Sequence, residues 1–265
     1  MPSAFERVSI VRCADDRRQD DSDLVAAEQP LEVRLNGESF SVIMRTPGSD
    51  RDLVVGFLFS EGIIESAADV AGFDGQDDII DVTLADAKAS SLPEILASRR
   101  QVMTNSSCGM CGRRTLDSLG VDAPPLTAAW TAARDAVLGM PEALRPAQAV
   151  FSETGGLHAA GVFTREGVLE LVAEDVGRHN GVDKVIGHML LEGRLPLTDS
   201  MLCVSGRSSF EIVQKAFLAG IPLIAAVSAP SSLAVTLADE AGMTLLGFVR
   251  GARFNIYTHP SRIAD

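Results

Sequence analysis

Two cysteines two residues apart, Cys108-Gly109-Met110-Cys111, are the most concentrated chemistry in the chain. Thiols at this spacing can hold a metal ion, cycle between dithiol and disulfide, or carry sulfur as a persulfide. A structural zinc site needs a second Cys or His pair of similar spacing. Here Cys13 and Cys203 stand alone, and His158, His179, His188 and His259 are scattered, so no resident metal is expected. A thioredoxin-like redox pair needs the motif at a helix N-terminus directly after a βαβ strand. The flank TNSS-CGMCG-RRT instead puts Gly on both sides, which suits a mobile loop over residues 104–113. In the third reading one thiolate takes sulfur and the loop moves it to an acceptor. Arg113 and Arg114 would lower the thiol pKa and help keep the thiolate. Spacing alone leaves the three readings open.

A second concentration of chemistry lies at three junctions in the C-terminal half. They are Glu174-Asp175-Val176-Gly177-Arg178-His179-Asn180, Ser205-Gly206-Arg207-Ser208-Ser209 and Ser228-Ala229-Pro230-Ser231-Ser232. Each follows an apolar run and precedes a helical one, so each belongs at the carboxyl edge of an α/β sheet, where ligands bind. Free N–H groups and the dipole at a helix N-terminus favour anions. Arg178 and Arg207 add guanidinium groups able to grip phosphate bidentately. Ser209, Ser231 and Asn180 are also ordinary N-cap candidates. There is no GxxxxGK[ST], and no GxGxxG on a strand-to-helix turn, which disfavours an NTPase or a dinucleotide dehydrogenase. His158-Ala159-Ala160 invites comparison with the H-x-E of zinc deaminases, but Ala160 occupies the position of the catalytic Glu and no P-C-x-x-C follows. Deaminase chemistry is excluded. His158 then reads either as a histidine packed among small residues in a strand or as a contact at a ligand or acceptor site. His179, among Asp175, Arg178 and Asn180, is a candidate contact, whereas Cys203 within MLCVSG reads as an inert core thiol.

The elements that must position these groups divide the chain. Residues 1–28, with Asp15, Asp16, Asp20, Asp21 and Asp23 close together, read as a disordered acidic arm. Residues 29–125 read as a small α+β domain. It opens with two alternating strands joined by Asn36-Gly37, a strong two-residue hairpin signal, and Ser49-Asp50-Arg51-Asp52 then offers a capped acidic start to the helix LVVGFLFSEG. Further strands are expected at Asp78–Leu84 and Gln101–Thr104. Residues 126–265 begin with Ala-rich helix, then a hairpin (LHAAGVFT, VLELVAEDV). Apolar strands thereafter alternate with helices, which predicts a parallel sheet covered on both faces.

Composition bounds the rest. The 265 residues are 46% hydrophobic, too apolar for wholesale disorder. The net charge of −13 argues against a general nucleic-acid binder. The excess is uneven: residues 1–125 hold 12 basic and 22 acidic side chains, residues 126–265 hold 11 and 14. An anionic ligand is therefore better accommodated by the C-terminal half, where Arg250, Arg253 and Arg262 have few acidic neighbours. Apolar runs such as Pro222 to Ala229 fall far short of the ~18–20 residues that span a bilayer, and the N-terminus shows no apolar h-region. A cytoplasmic, reducing address is expected.

Several long segments in order resemble the FdhD family, the formate dehydrogenase accessory sulfurtransferases. They are SSCGMCG at 106–112, TGGLHAAGVF at 154–163, EDVGRHNGVDKVIG at 174–187, SGRSSFEIVQKAFLAGIPLIAAVSAPSSLAV at 205–235 and FVRGARFNIYTHPSRI at 248–263. The resemblance implies a sulfur carrier that receives persulfide sulfur from a cysteine desulfurase. It passes that sulfur to the molybdenum cofactor, in its bis-guanine-dinucleotide form, before the cofactor enters formate dehydrogenase. It implies Cys108 as the carrier with Cys111 as its partner, and Phe248-Val249-Arg250-Gly251-Ala252-Arg253 as a binding segment for the guanine dinucleotide. Arg178, His179, Ser205, Gly206, Arg207 and Ser208 join them as cofactor contacts, with GDP as a surrogate ligand. A cytidine deaminase-like fold for the C-terminal domain and a homodimer are further implications. The rival is a non-catalytic cofactor-binding chaperone whose CxxC serves a metal or redox site.

Overall fold

The computed structural model describes residues 3–15, 17–90, 92–93 and 124–264. Cys108, Cys111, Arg113, Arg114, the loop 104–113 and the strand expected at Gln101–Thr104 lie outside the described residues. Among the described residues no helix is long and apolar enough to cross a membrane.

The N-terminal segment is corrected by the structure. Instead of a disordered arm, β1 (Phe5–Ala14) and β2 (Arg17–Ala26) form an antiparallel ribbon paired from Phe5↔Ala26 to Ala14↔Arg17. The acidic run hid a pairing partner: Val8 and Ile10 alternate along β1, and Arg12 meets Asp21 across the ribbon at 2.7 Å. Opposite charges on facing strands stabilise such a pair. That contact also holds the Asp21 carboxyl below its usual range.

β3 (Gln29–Leu35) and β4 (Glu38–Arg45) form the expected hairpin. Asn36 (φ 50°) and Gly37 (φ 85°) are both left-handed, as a type I′ turn requires. Helix α1 (Asp50–Ser60) follows, then β5 (Val70–Asp74), β6 (Ile79–Leu84) and the single turn α2 (Asp86–Ala89). These strands make a four-stranded sheet in the order β4-β3-β6-β5, packed on α1 through Leu31, Val33, Leu53, Val54 and Leu58. Ser49 makes no side-chain cap bond, contrary to expectation. The start of α1 is held instead by Arg45, wholly buried, which grips both oxygens of Asp50 at 3.0 and 3.1 Å and reaches Asp78 at 3.0 Å.

The second half runs β7 (Ala132–Ala133), α3 (Arg134–Leu144), α4 (Ala149–Thr154), β8 (His158–Thr164), β9 (Leu169–Asp175) and α5 (Arg178–Leu191). It continues through β10 (Ser200–Val204), α6 (Phe210–Leu218), β11 (Leu223–Ala226), α7 (Ser232–Glu240), β12 (Thr244–Arg250), β13 (Arg253–Ile256) and β14 (Ile263–Ala264). Six of these strands form one sheet in the order β13-β12-β11-β10-β8-β9. Only β10-β11-β12 pair in parallel; β8, β9 and β13 pair antiparallel, because hairpins rather than helical crossovers join β8 to β9 and β12 to β13. The expected hairpin and the expected parallel strands thus share one mixed sheet, with β13 added antiparallel at its edge. Its alternating side chains fill two cores. Leu202, Val204, Ile224 and Leu245 meet α5, α6 and α7 on one face. Met201, Cys203, Ala225 and Leu246 meet α3 on the other.

The two halves are joined at a crossing of α1 and α5 with almost no space between the backbones. A Cβ on Gly56 would lie 1.9 Å from the Asp183 carbonyl oxygen, and one on Gly187 would lie 1.9 Å from that of Asp52.

Candidate anion-binding cleft

In the six-stranded sheet β9, β10, β11 and β12 end, and β8 and β13 begin, at a single edge. A cleft of about 790 Å³ opens there, within the size range of cofactor sites. One wall is the segment from the end of α3 to the start of β8, contributing Arg145, Gln148, Phe151, Gly155, Gly156 and Leu157. The other is Val249, Arg250 and Gly251 at the turn between β12 and β13, with His158, Ser205 and Val227 from the central strands.

The turn at that wall follows from local chemistry. Arg250 pairs with Arg253, leaving Gly251-Ala252 as a two-residue connection. Gly251 has φ 57° with open space where a Cβ would stand. The turn needs its left-handed backbone there, which is what demands the glycine. Phe248 also has φ 55°, in the bulge between Gly247 and Arg250. Left-handed backbone at a bulky residue costs on the order of 1–3 kcal/mol. The bulge is held by the Phe248 N–H donating to the Ser228 carbonyl at 3.1 Å, and the Arg250 guanidinium lies 5.7 Å from the centre of the Phe248 ring. Arg134 donates to the Ala252 carbonyl at 2.8 Å, tying the turn to α3.

Of the residues singled out from sequence, Ser205, Val249, Arg250 and Gly251 line the cleft. Gly206 adjoins its floor: a Cβ there would sit 3.2 Å from His158 Nδ1 and 3.9 Å from the Arg178 Cβ. Ser205 accepts from the Ala159 N–H at 2.9 Å through its hydroxyl oxygen, which leaves the hydroxyl proton free to donate. Phe248, Ala252, Arg253, Arg178, His179, Arg207 and Ser208 do not line the cleft. Sequence reasoning missed Arg145, Gln148 and Phe151 because they lie in what read as Ala-rich helix. The usable signal was Arg145-Pro146, which stops α3, followed by the Gly155-Gly156 break. The Arg145 guanidinium lies 5.2 Å from the centre of the Phe151 ring.

The segment around Asp175 does something other than expected: it knits the two halves together. Lys184 Nζ lies 2.8 Å from Asp175 Oδ2 and donates to the carbonyls of Thr46 and Glu174. Asp175 also accepts from the Thr46 N–H, the Gly177 N–H and the Asn180 amide. Asn180 therefore does not cap its helix; its amide donates to Asp175 and to the Met44 carbonyl at 2.8 Å each. Glu174 accepts from the N–H groups of Val150 and Phe151, fixing the start of α4 beside the cleft. Asp183 takes Lys215 at 2.7 Å and Ser60 at 2.9 Å. Burial still pushes its carboxyl above the usual range, with Lys215 and Ser60 opposing.

His179 is buried, with Ser209 Oγ and Glu211 Oε2 each 2.9 Å from Nε2. The trio has the composition of an acyl-transfer triad, but both partners meet the same ring nitrogen. A relay needs them on opposite nitrogens. Ser209 spends its hydroxyl here and makes no cap bond, whereas Ser231 accepts from the Ala234 N–H as expected of an N-cap.

The electrostatics of the edge favour an anion. None of Arg145, Arg178, Arg207 and Arg250 is paired with a carboxylate among the described residues. Arg178 Nε and Ser208 Oγ are buried without any hydrogen-bond partner. Burial, followed by the charges of Arg178, His179 and Arg207, holds the His158 imidazole below its usual pKa, with Asp175 opposing. Burial pushes the Cys203 thiol up to about 12. Among the described residues no group of three or more His, Cys, Asp or Glu could hold a metal ion.

Fold and cleft together define a two-lobed protein with a cleft at one edge of a mixed sheet, bordered by arginines that have no carboxylate partner among the described residues. The model of the FdhD/NarQ family matches residues 26–264, and the chain belongs to that family. It is 46% identical over 280 residues to the sulfur carrier protein FdhD of Streptomyces avermitilis, covering 100% of this chain and 97% of that one. It is 48% identical to the protein of the same name from Nocardia farcinica, covering 97% and 92%, and 45% identical to that of Sulfurisphaera tokodaii, covering 97% and 98%. A crystal structure of a candidate formate dehydrogenase accessory protein from Desulfotalea psychrophila superposes with a TM-score of 0.80. It shares 26% identity and covers 99% of this chain and 100% of that one.

Proposed function

We propose that the chain is a sulfur carrier acting as an accessory to formate dehydrogenase. The observation that carries this reading is identity of 45–48% over nearly whole chains to proteins named as sulfur carriers. The sheet edge supports it: four arginines with no carboxylate partner among the described residues suit a phosphorylated ligand. The Cys108 thiolate attacks the terminal sulfur of a persulfide on a cysteine desulfurase. The donor's S–S bond breaks, its thiolate leaves, and a new S–S bond forms on Cys108, so no external oxidant is consumed. Cys111 shares that sulfur or resolves it: its thiolate attacks the inner sulfur, the S–S bond to the outer sulfur breaks, and a Cys108–Cys111 disulfide forms. The outer sulfur leaves at the sulfide level for the acceptor, a thiol reductant then restoring the dithiol. The acceptor is the molybdenum cofactor, a substrate here, whose guanine dinucleotide docks in the cleft against Arg250 and the turn Phe248–Arg253. Arg178, Ser205, Gly206, Arg207 and Ser208 supply the adjoining anion contacts, and His179 braces them from below.

The reading takes the C-terminal lobe as a cytidine deaminase-like scaffold without its acid–base group, since Ala160 places a buried methyl where H-x-E would place a carboxylate. It also takes the protein as cytoplasmic and homodimeric. Mass spectrometry after incubation with a desulfurase and cysteine tests it: the peptide holding Cys108 should gain one sulfur atom. Zinc in the purified protein without any persulfide would favour the chaperone instead.

A further inference from the structure

His158 is the first residue of β8, half-buried on the cleft wall, and neither ring nitrogen has a hydrogen-bond partner among the described residues. Gln148, only 4% exposed, lines the same cleft with its side-chain amide equally unpartnered. Both therefore present uncommitted polar atoms to whatever occupies the cleft. The His158 ring lies against the Gly206 backbone beside Arg178, in a space that a Cβ would crowd at 3.2 Å from Nδ1. The charged groups facing it are Arg178 and His179 from α5, Arg207 after β10 and Asp175 at the end of β9. Glu142, Arg145 and Arg250 are the other charged residues on the cleft. Asp175 is already committed to Lys184 and to the Thr46 and Gly177 N–H groups, so it cannot pair with the ring.

We propose that His158 is the proton-linked contact of this cleft: an anion docking in it beside Arg250, within the field of Arg178 and Arg207, recruits a proton to its imidazole, which then donates a hydrogen bond to the ligand. The inference rests on the nucleotide reading above and adds a residue to it. Without an anion nearby, burial and neighbouring cations disfavour a positive charge on the ring. A phosphate group brings about −1.5 to −2 charges and reverses that balance. The charged imidazole then makes a charge-assisted hydrogen bond, stronger than a neutral one. The sign is diagnostic. Guanidinium groups gripping a phosphate lower its pKa and release protons, whereas His158 takes one up.

The test is calorimetry of GDP binding to the full chain at pH 7.5 in two buffers of different ionisation enthalpy. The expected result is net proton uptake per GDP, with affinity falling as pH rises, by up to about tenfold per pH unit at the limit. His158→Gln should abolish the uptake and flatten the pH dependence; Gly206→Ala, which crowds the ring, should reduce the uptake. If His158→Gln fails to fold, titration of the wild-type imidazole resonances decides the matter: GDP should raise the His158 pKa. Binding with no uptake, with release, or with equal uptake in His158→Gln overturns the proposal and leaves the nucleotide reading intact. Absence of GDP binding overturns both.

Discussion

Replacing Gly187 by Ala at the α1–α5 crossing should destabilise the protein, although Ala is the better helix former. The added Cβ would lie 1.9 Å from the Asp52 carbonyl oxygen and 2.6 Å from the Gly56 nitrogen, both backbone atoms. This is roughly 1.5 Å inside ordinary contact, so the helices must part. Overpacking of a filled interior costs about 1–3 kcal/mol. Separation also weakens the Ser60–Asp183 hydrogen bond of 2.9 Å, a bond to a charged group worth about 1.5–3 kcal/mol. Against this stands a helix-propensity gain of about 1 kcal/mol. The net loss should be about 2–5 kcal/mol, read as a lower urea midpoint by far-UV circular dichroism. Gly139→Ala, inside α3 with nothing within 4 Å of its would-be Cβ, is the control and should stabilise by about 0.5–1 kcal/mol. If both substitutions stabilise equally, the backbone-to-backbone crossing is refuted.

Lys184→Met should strand the buried Asp175 carboxylate and cost about 3–5 kcal/mol of stability in the same assay. Arg250→Ala should weaken GDP binding by about tenfold or more, the loss of a hydrogen bond to a charged group. Arg253→Ala, off the cleft lining, should have the smaller effect, and calorimetry showing equal losses would contradict the placement of the cleft. In native protein at pH 8 iodoacetamide should modify exposed Cys13 but not Cys203, whose thiol at about 12 is ionised in only about one molecule in ten thousand. His158 is harder to protonate in the folded chain than in the unfolded one. The unfolded state therefore binds the proton first, and stability is lost as pH falls through about 6.5. His158→Gln should flatten the urea midpoint between pH 7.5 and 5.5 relative to wild type.

Much of this architecture was legible where local chemistry decides it. Asn36-Gly37 announced its hairpin because a type I′ turn needs two left-handed residues, and the apolar runs around Cys203 and Ile224 announced buried strands. The three junctions were correctly assigned to one sheet edge. Their polar residues were not separable from sequence into those that face a ligand and those that hold the fold. Asp175, Asn180 and Lys184 reach Met44 and Thr46, more than 120 positions away, and no local pattern carries that distance. The ribbon of β1 and β2 was misread because charge density resembles disorder until a partner strand supplies the opposite charges. The wall of Arg145, Gln148 and Phe151 was invisible for a related reason: it becomes a wall only when Glu174 draws the start of α4 onto the sheet.

The account turns on sulfur passing through this chain, and a pulse–chase with radiolabelled cysteine measures that directly. With a desulfurase present, label should load onto Cys108, be lost in Cys108→Ala but not in Cys203→Ala, and discharge when the guanine-dinucleotide cofactor is added. Label that never reaches Cys108, or that stays on the protein in the presence of the cofactor, would contradict the carrier role.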